Sequence, residues 1–356
     1  MPASDAKNAM LFLDQEEPGL ARDVTRCQGQ VPIVRLNRLS RLCRDRDCYV
    51  KLEGCTPSGS IKEKNAVLLV EQAEREGRLR PGGTIIESSS GNFGVGLAMV
   101  GAVRGYQVMI VIDRKTTPAF RRMLEAYGAT LVELSPTEVD ATGSMQAARI
   151  QRARELAASI PGAWYPCQHH NPANPDAHEL WTSEEILSAF PERLDAVIAG
   201  VSTGGQLTGL ARGLLRQRPS LKLVAVDVEG SVILGGAPGA YKMTGMGLSF
   251  RPPHLDYASL SQAFMVSDRV AFSVCHALAR TEGLLLGAST GAIVAAGLRV
   301  ARELEPGSRI LMLSPDRGER YLDTVYSPAW LSENGFELLS GPDLESAIQG
   351  LRCTLL

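Results

Sequence analysis

The sequence carries no large excess of positive or negative charge, no metal-type pair of cysteines and no extended apolar stretch. Its 37 lysine and arginine residues nearly balance 39 aspartate and glutamate residues, so it has no basic surplus that would bind nucleic acid by releasing counterions. The seven cysteines include no CxxC pair, which disfavours a zinc site or a disulfide framework and favours reduced thiols. Residues 1–19 lack the basic and then apolar pattern of a signal peptide, and no apolar run could cross a bilayer. We therefore expect a cytoplasmic protein with no metal, nucleic acid or membrane partner.

Short apolar strands alternate with helical patterns along most of the chain. The length of 356 residues is enough for about two domains. The predicted strands include 84–87, 108–112 and 130–134 in a first series and 196–199, 223–228 and 309–313 in a second. Repeated β-α-β order predicts an α/β fold with mostly parallel sheets covered by helices on both faces. The glycine-rich stretch 231–253 shows no periodicity, so we expect a long functional loop there.

A strand-like run, a turn and a helix start follow one another between residues 49 and 66. The turn is Thr56-Pro57-Ser58-Gly59, and Ser60 is the predicted cap of the helix that follows. Lys62 falls in the first helical turn, where amide dipoles carry positive partial charge and make a cation easier to deprotonate. A neutral amine can attack a carbonyl. The alternative is a solvated lysine, as exposed as its neighbour Lys64.

Two polar loops each follow a predicted strand and precede a predicted helix. The loop Ser202-Thr203-Gly204-Gly205-Gln206 has free N–H groups at a helix start, which suit a phosphate. The loop from Ser88 to Gly94 has hydroxyls and N–H groups that suit a carboxylate. Both loops leave the carboxyl ends of parallel strands, where ligands bind in open sheets. A purely structural turn is the alternative for each.

The chain has neither a GxGxxG fingerprint nor a P-loop lysine after Gly204-Gly205, which disfavours a nucleotide-binding dehydrogenase. One lysine, one phosphate cradle and one carboxylate cradle together indicate pyridoxal 5'-phosphate held by a lysine, with an amino acid as substrate.

Four motifs, in order and spacing, resemble those of the cysteine synthase/cystathionine β-synthase family. The motifs are Pro57-Ser58-Gly59-Ser60-Ile61-Lys62, Ser89-Ser90-Gly91-Asn92, Ser202-Thr203-Gly204-Gly205 and Gly287-Ala288-Ser289-Thr290-Gly291. The resemblance covers about residues 28–335. It implies the fold of the fold type II pyridoxal phosphate enzymes: two three-layer α/β domains with the cofactor between them. It also implies a homodimer.

The same resemblance implies a domain division and a role for each matching residue. The smaller α/β domain would span 44–164, the larger one 1–43 and 165–340, and 341–356 would form a tail. Lys62 would bind the cofactor covalently and later remove the α-proton of the substrate. Asn92 would meet the ring hydroxyl, Ser289 the pyridine nitrogen, and residues 202–206 the phosphate. The substrate carboxylate would bind at Ser89, Ser90, the Phe93 backbone and Gln168.

Further stretches, Glu229-Gly230-Ser231-Val232-Ile233 and 315–327, resemble family members that take O-phospho-L-serine and the amine of L-glutamate. His169 stands where the family usually has phenylalanine, and Ser202 where it usually has glycine. Both add polarity at the expected nucleophile entrance, which an amino acid needs and sulfide does not. His169 is a candidate to take a proton from an incoming ammonium group, or else a packed ring. Arg251 is a candidate ligand for a phosphate leaving group, or else a solvated loop arginine.

The expected activity is therefore β-replacement on an activated L-serine, with L-glutamate as the nucleophile. The product would be N-(2-amino-2-carboxyethyl)-L-glutamate, a diaminopropionate precursor for siderophores or antibiotics. A plain cysteine synthase that uses O-acetyl- or O-phosphoserine and sulfide is the nearest alternative. A cofactor-bound interaction protein without catalysis is an alternative of another class. A cysteine synthase would form cysteine rapidly, and the interaction protein would show no spectral change with any serine ester.

Overall fold

The computed structural model describes residues 21–29, 31–139 and 145–354. Its strands run in chain order as β1 Ile33–Arg35, β2 Asp47–Leu52, β3 Thr84–Ser88, β4 Gln107–Ile112, β5 Thr130–Glu133, β6 Ala163–Trp164, β7 Ala196–Gly200, β8 Lys222–Val228, β9 Gln262–Val266, β10 Arg309–Ser314 and β11 Cys353–Thr354. Its α-helices are α1 Lys62–Arg75, α2 Asn92–Arg104, α3 Pro118–Ala126, α4 Gln146–Ser159, α5 Ser183–Ala189, α6 Gly205–Leu210, α7 Asp268–Glu282, α8 Ala288–Ala301, α9 Pro328–Glu333 and α10 Gly341–Gln349.

The strands form two sheets. The larger has the order β1-β2-β10-β7-β8-β9-β11, and the smaller has the order β5-β4-β3-β6. All pairs are parallel except β1–β2 and β9–β11 at the two edges of the larger sheet. Central strands such as β7 and β10 are buried almost throughout, which explains their unbroken apolar sequences. The predicted α/β fold with mostly parallel sheets is confirmed.

Several local predictions need adjustment. The N-cap of α1 is Ile61, without a side-chain cap. Ser60, the predicted cap, instead pairs with Asp316 in an isolated antiparallel bridge. Strand β2 falls within the range predicted for the smaller domain, yet it hydrogen-bonds in the larger sheet. The domain boundaries themselves stay a prediction.

The carboxyl-terminal residues are part of the large sheet and its helical layer. Leu344 and Ile348 of α10 are buried in the main core, and β11 extends the sheet edge beside β9. The polar start of the chain lies mostly outside the described residues. Residues 229–256 contain neither strand nor helix, as the glycine-rich composition predicts. No helix in the described ranges is both long enough and apolar enough to span a bilayer.

Helix α1 follows the turn 56–59, which we call the lysine turn because it leads into Lys62. Helix α2 begins within the loop 88–94, which we call the serine-rich loop. The two helices pack closely at Gly96. A Cβ at Gly96 would come within 3.1 Å of Ala66 Cβ and 3.3 Å of the Lys62 carbonyl oxygen. The absence of a side chain therefore sets the distance between Lys62 and the start of α2.

Candidate active site

Lys62 is the first residue of α1 and is partly buried. Burial lowers the pKa of its amine to about 8, because the charged form loses hydration. Among the described residues no hydrogen bond or ion pair involves the Lys62 amine. A partly neutral amine without a partner is suited to react with a carbonyl.

Lys64 lies two residues further along α1 and has a different environment. It is fully buried, which contradicts the alternative in which Lys64 is an exposed neighbour of a solvated Lys62. Its Nζ lies 3.0 Å from Glu53 Oε2 and 2.7 Å from Glu185 Oε1. Lys51 Nζ lies 2.9 Å from Glu53 Oε1 and also pairs with Glu185. We call these four residues the buried charge ring; it anchors β2 and α1 on either side of the lysine turn.

The loop after β7 presents unpaired donors. Helix α6 makes its first bond from Thr208 N to Gly204 O, at 3.1 Å, so the amides of residues 205–207 precede the helical ladder. The buried Nε2 of Gln206 has no hydrogen-bond partner within the described ranges. Gly204 has φ 83°, and a Cβ there would lie 2.8 Å from the Leu255 amide. A Cβ at Gly205 would overlap Asn174 Oδ1. A larger residue at position 204 or 205 would therefore clash with Leu255 or Asn174, which pack against this phosphate loop.

The loop after β3 is organised around Ser89. Its hydroxyl accepts hydrogen bonds from the Gly94 amide at 2.9 Å and the Gly91 amide at 3.4 Å, and so shapes the start of α2. Ser90 is partly exposed and Phe93 is buried. The first helical bond of α2 runs from Val95 N to Gly91 O. Since the Gly91 and Gly94 amides already donate to Ser89, the amides of Asn92 and Phe93 are the ones left for a carboxylate.

Glu87, at the end of β3, joins this loop to Gln168. Its carboxyl accepts hydrogen bonds from the backbone N–H of Gln168 at 3.1 Å and from the backbone N–H of Ser88 at 2.8 Å. Burial raises the pKa of Glu87 to about 8. The Gln168 side chain donates to Ser88 O at 3.4 Å. Gln168 is therefore next to the serine-rich loop, although it is 80 residues from Ser88 in sequence.

Asn92 and Ser289 begin two helices. Asn92 is the first residue of α2, and its amide lies between Asp316 and Arg320. Ser289 is the second residue of α8 and is buried. Its neighbour Thr290 shares a hydrogen bond of 2.9 Å with Ser314 Oγ at the end of β10. Asp316 and Arg320 carried no predicted role, although they lie in a stretch that was singled out for its resemblance.

Asn174 links three parts of the site, and no local pattern in the sequence predicted this. Its Nδ2 donates to Gln168 O at 2.6 Å and to Thr203 Oγ1 at 3.2 Å. Its Oδ1 accepts from Asn65 Nδ2 at 3.0 Å. Asn65 Oδ1 in turn lies 3.0 Å from His178 Nε2. Burial lowers the pKa of His178 to about 3. The helix of Lys62, the phosphate loop and Gln168 are thus held to one another.

His169 follows Gln168 and is buried, and its ring centre lies 5.7 Å from the ring centre of Phe250 in an edge-to-face arrangement. Burial, and then the charge of Arg149, lower its pKa to about 3, so the imidazole is neutral at physiological pH. Its Nδ1 has no hydrogen-bond partner in the part of the chain that is described. Arg251 is exposed and stacks on Tyr257, with Cζ 4.9 Å from the ring centre.

The residues present fit pyridoxal phosphate. Free helix-start amides and the unpaired Gln206 amide suit a phosphate, and a partly neutral lysine suits an aldehyde. No cluster of side chains that could hold a metal ion occurs among the described residues.

Comparisons with known proteins agree with this geometry. The family described as "Pyridoxal-phosphate dependent enzyme" matches residues 24–316. The chain is 39% identical over 313 residues to N-(2-amino-2-carboxyethyl)-L-glutamate synthase of Ralstonia nicotianae, covering 88% of this chain and 92% of that protein. It is 39% identical over 308 residues to a cysteine synthase of Staphylococcus aureus, covering 86% and 97%. The solved structure of O-ureido-L-serine synthase superposes with a TM-score of 0.80 at 34% identity, covering 88% and 99%.

Proposed function

Because this chain belongs to the family of pyridoxal-phosphate dependent enzymes, as a cysteine synthase-like β-replacement enzyme, we propose that its substrates are O-phospho-L-serine and L-glutamate. The glutamate amine forms a bond to the β-carbon of serine, and the bond from that carbon to the phosphate oxygen breaks. The products are N-(2-amino-2-carboxyethyl)-L-glutamate and phosphate. The product would serve as a diaminopropionate source for siderophore or antibiotic biosynthesis, in a cytoplasmic homodimer.

Bound pyridoxal phosphate supplies the electron sink that lets the α-proton and the β-substituent leave. Residues 202–206 would hold the phosphate, Ser289 would meet the pyridine nitrogen, and Asn92 would meet the ring oxygen. Lys62 would bind the aldehyde and then move the α-proton; this role is supported by burial, which keeps much of its amine neutral near pH 8. Ser89, Ser90, the Phe93 backbone and Gln168 orient the serine carboxylate.

The observation that carries the choice of nucleophile is the unpaired, buried Nδ1 of His169. A buried polar atom without a partner is costly, and an amino acid nucleophile brings polar groups that can satisfy it. Sulfide brings none. The low pKa of His169 favours a role as a hydrogen-bonding group over the role of proton acceptor. Ser202, partly exposed at the phosphate loop, adds a second polar group.

Arg251 is proposed to bind the phosphate that leaves. Its exposure leaves the guanidinium accessible, and its stacking on Tyr257 restrains it. The neighbouring Phe250 contacts His169, and this contact supports a position of the loop beside the proposed nucleophile entrance. If Arg251→Ala leaves activity with O-phospho-L-serine unchanged relative to O-acetyl-L-serine, this assignment fails.

Cysteine synthase is the second candidate, because the chain is as similar to a cysteine synthase as to the glutamate-using relative. The test is product identification by mass spectrometry. Purified holoenzyme receives O-phospho- or O-acetyl-L-serine with either L-glutamate or sulfide, and initial rates are compared. The proposal expects N-(2-amino-2-carboxyethyl)-L-glutamate to form fastest from O-phospho-L-serine. Cysteine as the only product would assign the chain to the second candidate.

Variants at His169 sharpen this test. His169→Phe removes the unpaired imidazole and should lower the glutamate-dependent rate by about fivefold, since one hydrogen bond is worth about 1 kcal/mol. The sulfide-dependent rate should change little. His170→Phe is the matched control, because His170 is exposed and stacks on the same Phe250 ring. Equal losses with both nucleophiles would mean that His169 has a packing role only.

A further inference from the structure

We propose that Asp316 and Arg320 are positioning residues that fix the Asn92 amide in one orientation, so that its NH2 group is presented to the ring oxygen of the cofactor. This inference rests on the proposed role of Asn92. It adds two residues from the segment after β10 to a site that otherwise comprises Lys62, Gln168, Ser289 and the loops after β3 and β7.

The two ends of the Asn92 amide meet groups of opposite charge. Asn92 Nδ2 donates to Asp316 Oδ2 at 2.6 Å, and Arg320 donates to Asn92 Oδ1. If the amide were turned over, its NH2 group would face a guanidinium and its oxygen would face a carboxylate, and both contacts would be repulsive. The NH2 group keeps one N–H that neither residue uses, and that N–H is the one left for the cofactor.

Asp316 is itself held in place. It is buried, and Tyr321 donates to the same Oδ2 at 2.5 Å. Its other oxygen, Oδ1, has no hydrogen-bond partner among the described residues and lies where a Cβ at Gly287 would be. Glycine at 287 therefore leaves the space that this carboxylate occupies, directly before α8 and Ser289.

Arg320 connects Asn92 to the turn that precedes Lys62. It is buried and donates a hydrogen bond to Ser58 O. Its Cζ lies 5.9 Å from the ring centre of Phe120. Gly59, with φ 75°, has no room for a Cβ because Arg320 lies there.

The same segment also reaches the turn through its backbone. The Ile61 amide donates to Pro315 O at 2.8 Å, and Ser60 pairs with Asp316. The segment 315–320 thus sets the position of the lysine turn and of Asn92 together. A substitution that lets the Asn92 amide rotate should therefore weaken the binding of pyridoxal phosphate, although Lys62 remains available to react with it.

The test is a double-mutant cycle between Asp316→Asn and Asn92→Ala. Two quantities are measured: the dissociation constant of pyridoxal phosphate, by titration of the apoenzyme, and the pH midpoint of the visible absorbance of the holoenzyme. We expect each single variant to weaken cofactor binding by about tenfold, as loss of a charge-assisted hydrogen bond implies, and to move the pH midpoint. The double variant should bind within about twofold of Asn92→Ala.

Asp323→Asn is the matched control, because its carboxylate is 67% exposed and contacts Arg122 at the surface. It should leave both quantities unchanged. Arg320→Gln is a second probe should Asp316→Asn not fold, and Arg320→Lys should bind more tightly than Arg320→Gln because it keeps the charge.

The outcomes separate the inference from the function on which it rests. If Asn92→Ala changes both quantities but Asp316→Asn and Arg320→Gln change neither, the positioning role is overturned and Asn92 keeps its role. If the two losses multiply in the double variant, Asp316 does not act through Asn92, and the inference is again overturned. If Asn92→Ala itself has no effect, the assignment of Asn92 fails and the inference fails with it.

Discussion

Replacement of Lys64 by methionine should destabilise the protein strongly, although Lys64 is not among the residues proposed to bind substrate or cofactor. Methionine has a similar length but no charge, so Glu53 and Glu185 would be left to share Lys51 alone. Both carboxylates are buried or nearly so, with side-chain exposures of 0% and 9%. Removing one partner of a buried ion pair costs about 3–5 kcal/mol, because the remaining charge is neither hydrated nor paired.

Urea unfolding of the apoenzyme measures this loss. With a slope of about 3 kcal/mol per molar urea, the midpoint should fall by about 1 M or more. Lys115→Met is the control, because Lys115 is exposed, and it should change stability by less than about 0.5 kcal/mol. Lys64→Met with Glu185→Leu should recover much of the loss, since one anion and one cation then remain. Equal midpoints for Lys64→Met and Lys115→Met would refute the reasoning.

The loss should also depend on pH. In the wild type, burial works to raise the pKa of Glu53, but Lys64 and then Lys51 outweigh it and hold the pKa at about 2. The unfolded value is 4.5, so this contribution is present above pH 4.5 and is lost as the pH falls through about 2. Without Lys64 the buried carboxylates bind a proton more readily. The deficit of Lys64→Met should therefore be larger at pH 7 than at pH 5.

Two further predictions concern the cofactor. The rate at which the apoenzyme takes up pyridoxal phosphate covalently, followed by visible absorbance, should rise with pH with a midpoint near pH 8, because only the neutral amine of Lys62 reacts and burial lowers its pKa to about 8; a midpoint of this rate near pH 10.5 would contradict this. Gly205→Ala should weaken cofactor binding by about tenfold or more, because the added Cβ overlaps Asn174 Oδ1. An unchanged dissociation constant would show that the phosphate loop can move away from Asn174.

The layered fold and the main motifs could be predicted because their signals are local. Buried parallel strands such as β7 and β10 have unbroken apolar sequences, and each is followed by a polar turn. The lysine turn and the loops predicted to bind a phosphate and a carboxylate are each continuous in sequence. Their residue types and their place between a strand and a helix could therefore be recognised from the sequence alone.

The supporting residues could not be predicted in the same way. Asn92 and Arg320 are 228 positions apart, and Asn174 contacts Asn65 across 109 positions. No periodicity records such a pairing. Lys64 was exposed only in the alternative of a solvated Lys62, which follows the usual behaviour of lysines. The one available signal was Lys51, a charged residue within an apolar strand, which requires a buried partner.

The measurement that tests the central claim most directly is the visible spectrum of the holoenzyme with O-phospho-L-serine, followed by L-glutamate in one cuvette and sulfide in another. The proposed function predicts a new absorbance band with O-phospho-L-serine that glutamate discharges faster than sulfide does. Discharge by sulfide alone would contradict the amino acid nucleophile. The absence of any band with either O-phospho- or O-acetyl-L-serine would contradict β-replacement itself.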